Sequence, residues 1–139
     1  MGVIVRCAGL YASIVFALGF LLGTLRVLFL LPVLGDFIAV LVELPVMLAF
    51  SYVVARAIVR RFWPLDRGQG IEIGLLSFLF LQVAETALAG FFGPYSYFDN
   101  MLVYLGDLTP PKVAGLIGQI LFAALPLFHI LRFPSHDRS

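Results

Sequence analysis

Charge is scarce in this chain. Only 12% of its 139 residues are Asp, Glu, Lys or Arg, about half the roughly 25% of a typical soluble domain. With 62% hydrophobic residues and a mean hydropathy of +1.07, too few polar side chains remain to cover a water-facing surface, which excludes a soluble enzyme. The near balance of 9 basic against 8 acidic residues supplies no basic field for nucleic acid. Cysteine is nearly absent as well. Cys7 has no partner for an internal disulfide, and its apolar neighbours suit a buried or lipid-facing thiol. Two histidines, His129 and His136, with one cysteine and no CxxC or HxxxH spacing, form no ligand set for a metal or haem, so no cofactor is expected. No GxSxG, HExxH or Walker sequence occurs, and a non-enzymatic role is expected. Fourteen Phe and a net charge of +1 are the opposite of a disordered composition, which combines low hydrophobicity with high net charge.

What the chain has in quantity is long apolar runs. A helix needs about 20 apolar residues to cross a hydrocarbon core about 30 Å thick, and four stretches qualify: Cys7 to Leu30, Phe37 to Val59, Ile71 to Phe92 and Val113 to Leu131. The expected fold is all-α, a single integral-membrane domain over residues 1–139 built as an antiparallel four-helix bundle. The first run continues past Gly23 and Thr24 to Leu31 with no small-x-small site after it, so it reads as a retained helix and not a cleaved signal peptide.

The basic residues give an orientation. Arg6, Arg56, Arg60, Arg61, Arg67, Arg132 and Arg138 fall on one side of four alternating spans, and only Arg26 and Lys112 on the other. The positive-inside rule then puts both termini in the cytoplasm. Arg56, Arg60 and Arg61 also form a candidate contact for anionic lipid. Between the spans, Leu31–Asp36 reads as a turn built on Pro32 and Gly35, and Arg60–Gly70 as a basic loop with Trp63 as an interfacial anchor. The third connection, Gly93–Lys112, places Phe98, Met101, Leu102 and Leu105 on one helical face and is expected to form a short interfacial helix ended by Pro110 and Pro111.

Polar groups inside the apolar runs are few and therefore informative, because charge is costly in a bilayer. Glu43 lies about 10 Å below the outer end of the second helix at 1.5 Å per residue. Glu85 lies at similar depth on the third, with Gln82 three residues earlier, Gln119 is at that depth on the fourth, and Arg26 stands near the outer end of the first. Arg26, Glu43, Gln82, Glu85 and Gln119 are thus expected to converge in one buried polar cluster, either as interhelical glue or as a proton or ligand site. One arginine does not neutralise two carboxylates, so a proton, a cation or water is expected to make up the difference. Pro45 and Pro126 free the carbonyls of Leu41 and Phe122. Gly19 and Gly23 form a GxxxG pair expected to pack within the bundle, and Gly115 and Gly118 suggest the same for the fourth helix. His129 is expected to bond a backbone carbonyl.

The segment GTLRVLFLLPVLGDFIAVLVELPVM, from Gly23 to Met47, resembles a pattern found in uncharacterised four-helix inner-membrane proteins of bacteria: Gly-Thr-x-Arg, then Pro and Gly, then Glu-x-Pro-x-Met. The resemblance implies that Arg26 and Glu43 belong together, and it supplies no reaction. Small multidrug resistance transporters are similar in size, but they carry their glutamate in the first helix, where this chain has Arg26. The expected function is an accessory or structural partner of a larger membrane complex, and the expected partners are the lipid bilayer and another membrane protein or further copies of this chain. The alternative is a small proton- or cation-coupled transporter or channel subunit.

Overall fold

The computed structural model describes residues 1–132. The tail that carries His136 and Arg138 lies outside the described residues. Four long helices and one short one make up the described chain: α1 (Gly2–Leu34), α2 (Asp36–Arg61), α3 (Arg67–Phe92), α4 (Tyr97–Gly106) and α5 (Pro110–Arg132). The four long helices are apolar and long enough to cross a membrane, and they pack as an antiparallel bundle. Around the bundle the order is α1, α2, α5, α3, with α4 lying on α3. The chain neighbours α2 and α3 are therefore diagonal. The upper end of the bundle carries Gly35 and α4; the lower end carries both the start of α1 and the end of α5.

Two connections are tighter than the sequence suggests. The α1–α2 turn is not the six-residue Leu31–Asp36 segment, since α1 runs on through Pro32 to Leu34 and the chain reverses at Gly35 alone. Gly35 has φ +77°, a left-handed conformation that costs a side-chain-bearing residue about 1–2 kcal/mol. Proline is tolerated before it because residues Arg26–Leu30 form a π turn, in which the Leu31 N–H reaches back to the Arg26 carbonyl. In a regular helix the Pro32 ring would crowd the carbonyl of Leu28, and the wider turn leaves it room. The predicted Arg60–Gly70 loop likewise shrinks to residues 62–66. Arg60 and Arg61 close α2, while Arg67 opens α3 behind a capping box: Gln69 N donates to Asp66 Oδ1 at 2.8 Å and Asp66 N to Gln69 Oε1 at 3.0 Å. Pro110 and Pro111 open α5 instead of preceding it, as suits residues whose missing N–H groups would be unpaired there anyway.

The lower half of the bundle is dry. Cys7, Ala8, Tyr11 and Val15 of α1 meet Val54, Ile58 and Val59 of α2, Ile73 of α3 and Ile130 of α5 in one buried cluster. Close approach of α3 to α5 depends on glycine: a Cβ at Gly74 would run into the Ala123 carbonyl oxygen, and one at Gly70 would lie 2.8 Å from Ile130 Cδ1. Ser77 Oγ donates within its own helix to Ile73 O at 2.7 Å, and Ala8 O lies 3.4 Å away. Across the other diagonal, the Tyr11 hydroxyl donates to Phe122 O at 2.9 Å while the two rings stack at 4.3 Å. That carbonyl is the one Pro126 leaves without its helical donor, so Tyr11 satisfies an acceptor that the proline has exposed. His129 Nε2 lies 3.1 Å from Tyr52 O.

Candidate functional site: an acidic cavity at the upper end

Above the Tyr11–Phe122 layer the four long helices frame a half-open cavity of about 940 Å³. Its lower limit is set by Val15, Ser51, Leu81 and Phe122, and its lower walls are apolar, with Phe16, Leu44, Met47 and Leu48 among them. The cavity exists because small residues face it. Gly19, Gly23 and Gly115 all line it, and a Cβ at Gly23 or Gly115 would find no atom within 4 Å. The GxxxG pair of α1 is thus not a packing face. Gly19 meets only the Met47 side chain, at 3.2 Å, and Gly23 meets nothing, because the helix opposite presents flexible side chains at that level and not backbone. Gly118 does pack, against Leu44.

The polar groups gather in the upper half of this cavity. Arg26, at the head of the π turn, places Nε 3.2 Å from Glu43 Oε2 and Nη1 3.9 Å from Asp36 Oδ1. A π turn closes its hydrogen bond over one residue more than an α-helix does, so it changes which way the following side chains point. On the opposite side, Glu85 Oε2 accepts two hydrogen bonds, from the Tyr104 hydroxyl at 2.5 Å and from Gln119 Nε2 at 2.7 Å. Lys112 Nζ sits 3.1 Å above the Tyr104 ring centroid, a cation–π contact. Arg26, Glu43, Glu85 and Gln119 of the predicted set therefore line one cavity, in two groups. Gln82 is half-buried but does not line it. The face of α3 turned inward runs through Leu81, Glu85, Leu88 and Phe92, and Gln82 falls to one side of it. Thr24 also lines the cavity but spends its hydroxyl on its own helix, donating to Phe20 O at 2.8 Å.

Sequence reading missed four contributors: Tyr104, Lys112, Asp36 and Asp107. Tyr104 reaches the site because α4 is amphipathic in an unforeseen sense. Phe98, Leu102 and Leu105 point away from the bundle and are exposed, while Tyr97, Asn100 and Tyr104, spaced three and four residues apart, face it. Asn100 fixes that orientation from a buried position: its Nδ2 donates to Gly90 O at 3.0 Å and Tyr95 O at 3.1 Å, and its Oδ1 accepts from Tyr95 N at 3.0 Å. Burial and the neighbouring Glu85 charge hold the Tyr104 phenol well above its usual pKa, so it stays a donor. Asp107 caps the α4–α5 corner, its Oδ1 accepting from Thr109 N at 2.9 Å. That bond holds its carboxyl below the usual carboxylate range.

Counted over the cavity wall, Asp36, Glu43, Glu85 and Asp107 stand against Arg26 and Lys112. Among the described residues no group of three or more His, Cys, Asp or Glu is disposed to hold a metal ion. Fold and site together define an all-α, multi-pass type of membrane protein with an acid-lined cavity between its spans. No protein-family model matches the chain, and neither a curated protein nor a solved structure is similar to it.

Proposed function

We propose that the protein is a small, non-enzymatic membrane protein that admits a cation into the upper cavity, acting as a proton- or cation-coupled transporter or channel subunit. The observation that carries this reading is a cavity of about 940 Å³ that reaches both Glu43 and Glu85. Even on the lenient insertion scale an acidic residue at the centre of a membrane helix costs about 2.5–3.5 kcal/mol, so carboxylates kept there point to an ion or proton site. The excess of carboxylates over cations around the wall favours a positively charged occupant. Beneath it, the stacked Tyr11 and Phe122 rings close the lower end.

A second reading, an accessory or structural partner of a larger membrane complex, draws on the internal pairing of Arg26 with Glu43 and of Glu85 with Tyr104 and Gln119. Both readings place the protein in a bacterial inner membrane with its lower end in the cytoplasm, since Arg56, Arg60 and Arg61 are exposed there and suit anionic lipid headgroups. Flux in proteoliposomes separates the two. The wild-type protein is expected to dissipate an imposed proton or alkali-cation gradient, and Glu43→Gln or Glu85→Gln to abolish that flux while the protein remains folded. Absence of wild-type flux, together with unchanged stability in both variants, overturns the transport reading.

A further inference from the structure

We infer that the cavity is shaped for a lipophilic organic ammonium, its charged head beside Glu85 and Gln119 and its apolar body against the lower walls and floor at Phe16, Met47 and Phe122. The inference rests on the reading of the cavity as a cation site and specifies which cation.

Acceptors are left over at the head of the cavity. Glu85 Oε2 already takes both neighbouring donors, and its Oε1 makes no hydrogen bond among the described residues. The Gln119 amide is oriented by that same carboxylate, which when ionised only accepts, so Nε2 must face Glu85 and Oε1 must face elsewhere. Gln119 Oε1 is buried and has no hydrogen-bond partner, and a buried acceptor left unsatisfied is costly. An N–H donor placed against the open Glu85 oxygen satisfies it, and a small shift of the Gln119 amide brings its oxygen to the same donor. Both cations already face groups of the protein: Arg26 lies between Glu43 and Asp36, although its Nε makes no hydrogen bond, and Lys112 lies on the Tyr104 ring.

Size and lining then distinguish an organic from an inorganic cation. A water molecule's share of liquid volume is about 30 Å³, so a cavity of about 940 Å³ is far larger than a bare alkali ion or a proton requires. It falls instead in the range of about 300–1,000 Å³ typical of small-molecule sites. Its lower walls are apolar and hold no further oxygen ligands beyond Ser51, so a small hydrated ion would leave them wet. An apolar body attached to the ammonium covers them.

The test uses the full chain in lipid nanodiscs and three probes of one shape: 4-phenylbutylammonium, 4-phenylbutanol and 4-phenylbutanoate, with empty nanodiscs as the partition control. Titration calorimetry is expected to show saturable binding of the ammonium, with the alcohol and the carboxylate at least about tenfold weaker. Glu85→Gln is expected to weaken the ammonium by about tenfold. Gly23→Leu, placed where no atom lies within 4 Å, is expected to abolish binding without lowering the melting temperature, which guards against a loss caused by misfolding. Preferential binding of the carboxylate, or ammonium binding unchanged in both variants, overturns the inference. Proton or alkali-cation flux without ammonium binding also overturns it and leaves the transport reading standing. Ammonium binding without any flux supports the inference and removes the transport reading.

Discussion

Tyr104→Phe isolates one hydrogen bond at the site. The substitution deletes the hydroxyl that donates to Glu85 Oε2 at 2.5 Å and keeps the ring beneath Lys112, so the cation–π contact survives. Hydrogen bonds between membrane helices average about 0.6 kcal/mol in double-mutant cycles, with a maximum near 1.7, whereas bonds to a charged group are worth about 1.5–3 kcal/mol. Tyr104 lies on α4, outside the spans, and its acceptor is a carboxylate, so a loss of about 1.5 kcal/mol is expected. Because burial and the Glu85 charge keep the phenol protonated, the loss should be the same from neutral to moderately alkaline pH. The neighbouring donor sharpens the test. Gln119 bonds the same oxygen at 2.7 Å, so Tyr104→Phe combined with Gln119→Leu strips the carboxylate of both donors and should cost more than the sum of the single changes by about 0.5 kcal/mol or more. Reversible unfolding in mixed micelles, titrated with SDS and followed by far-ultraviolet circular dichroism, gives all three values. A Tyr104→Phe loss below about 0.5 kcal/mol with an additive double mutant would refute the shared-acceptor geometry.

Three other perturbations probe the supports of the site. Gly74→Leu sets a side chain against the Ala123 carbonyl and should destabilise the bundle by about 1–3 kcal/mol or more, whereas Gly23→Leu should be tolerated; the same SDS titration compares them, and equal losses would contradict the dry-half, open-half division. Asn100→Ala removes three hydrogen bonds that tie α4 to α3 and to the preceding turn. Hydrogen exchange should then show residues 97–106 losing protection while the four long helices keep theirs, and uniform loss would mean that α4 is integral to the bundle. Asp107 has a depressed carboxyl pKa in the folded state, so its contribution is complete above the ordinary carboxylate value of about 3.9 and is lost as the pH falls through the lower folded value. A carbon-13 titration should place its midpoint below that ordinary value in the native protein and not in Thr109→Pro, which lacks the donating N–H; a native midpoint at or above it would remove the capping role.

The spans were legible because four runs of about 20 apolar residues leave little other choice. The pairing of Arg26 with Glu43 was legible for the same reason, since two opposite charges at similar depth on adjoining helices have few other partners. The ends of the elements were not. The sequence Leu-Pro-Val-Leu-Gly reads as a turn from its proline and glycine, but the π turn ahead of Pro32 absorbs the steric conflict and lets the helix continue, and a wide turn has no pattern in residue type. Tyr104 was hidden differently. The apolar stripe of α4 was visible, yet an amphipathic helix beside a membrane has a polar face that can look toward water or toward the protein, and buried Asn100 decides it. The spacing Tyr97, Asn100, Tyr104 was the available signal.

Glycine explains why the charges sit where they do. Gly70 and Gly74 on α3 stand four residues apart, as do Gly19 and Gly23 on α1, yet the first pair draws two helices together and the second leaves a cavity. The difference lies in the opposing surface. Across from Gly74 is the backbone carbonyl of Ala123, rigid and close, on a stretch of α5 held by the bond from Tyr11 to Phe122 O. Across from Gly19 is the flexible end of Met47, and a Cβ at Gly23 would find no atom within 4 Å. Desolvation then sorts the ionisable groups: a carboxylate in the dry lower half would need every oxygen paired by protein, whereas around the cavity Glu85 keeps one oxygen unbonded. The lower half accordingly buries hydroxyls and an imidazole, each satisfied by a backbone carbonyl, and Glu43 and Glu85 lie where the small residues of α1 and α5 leave a cavity.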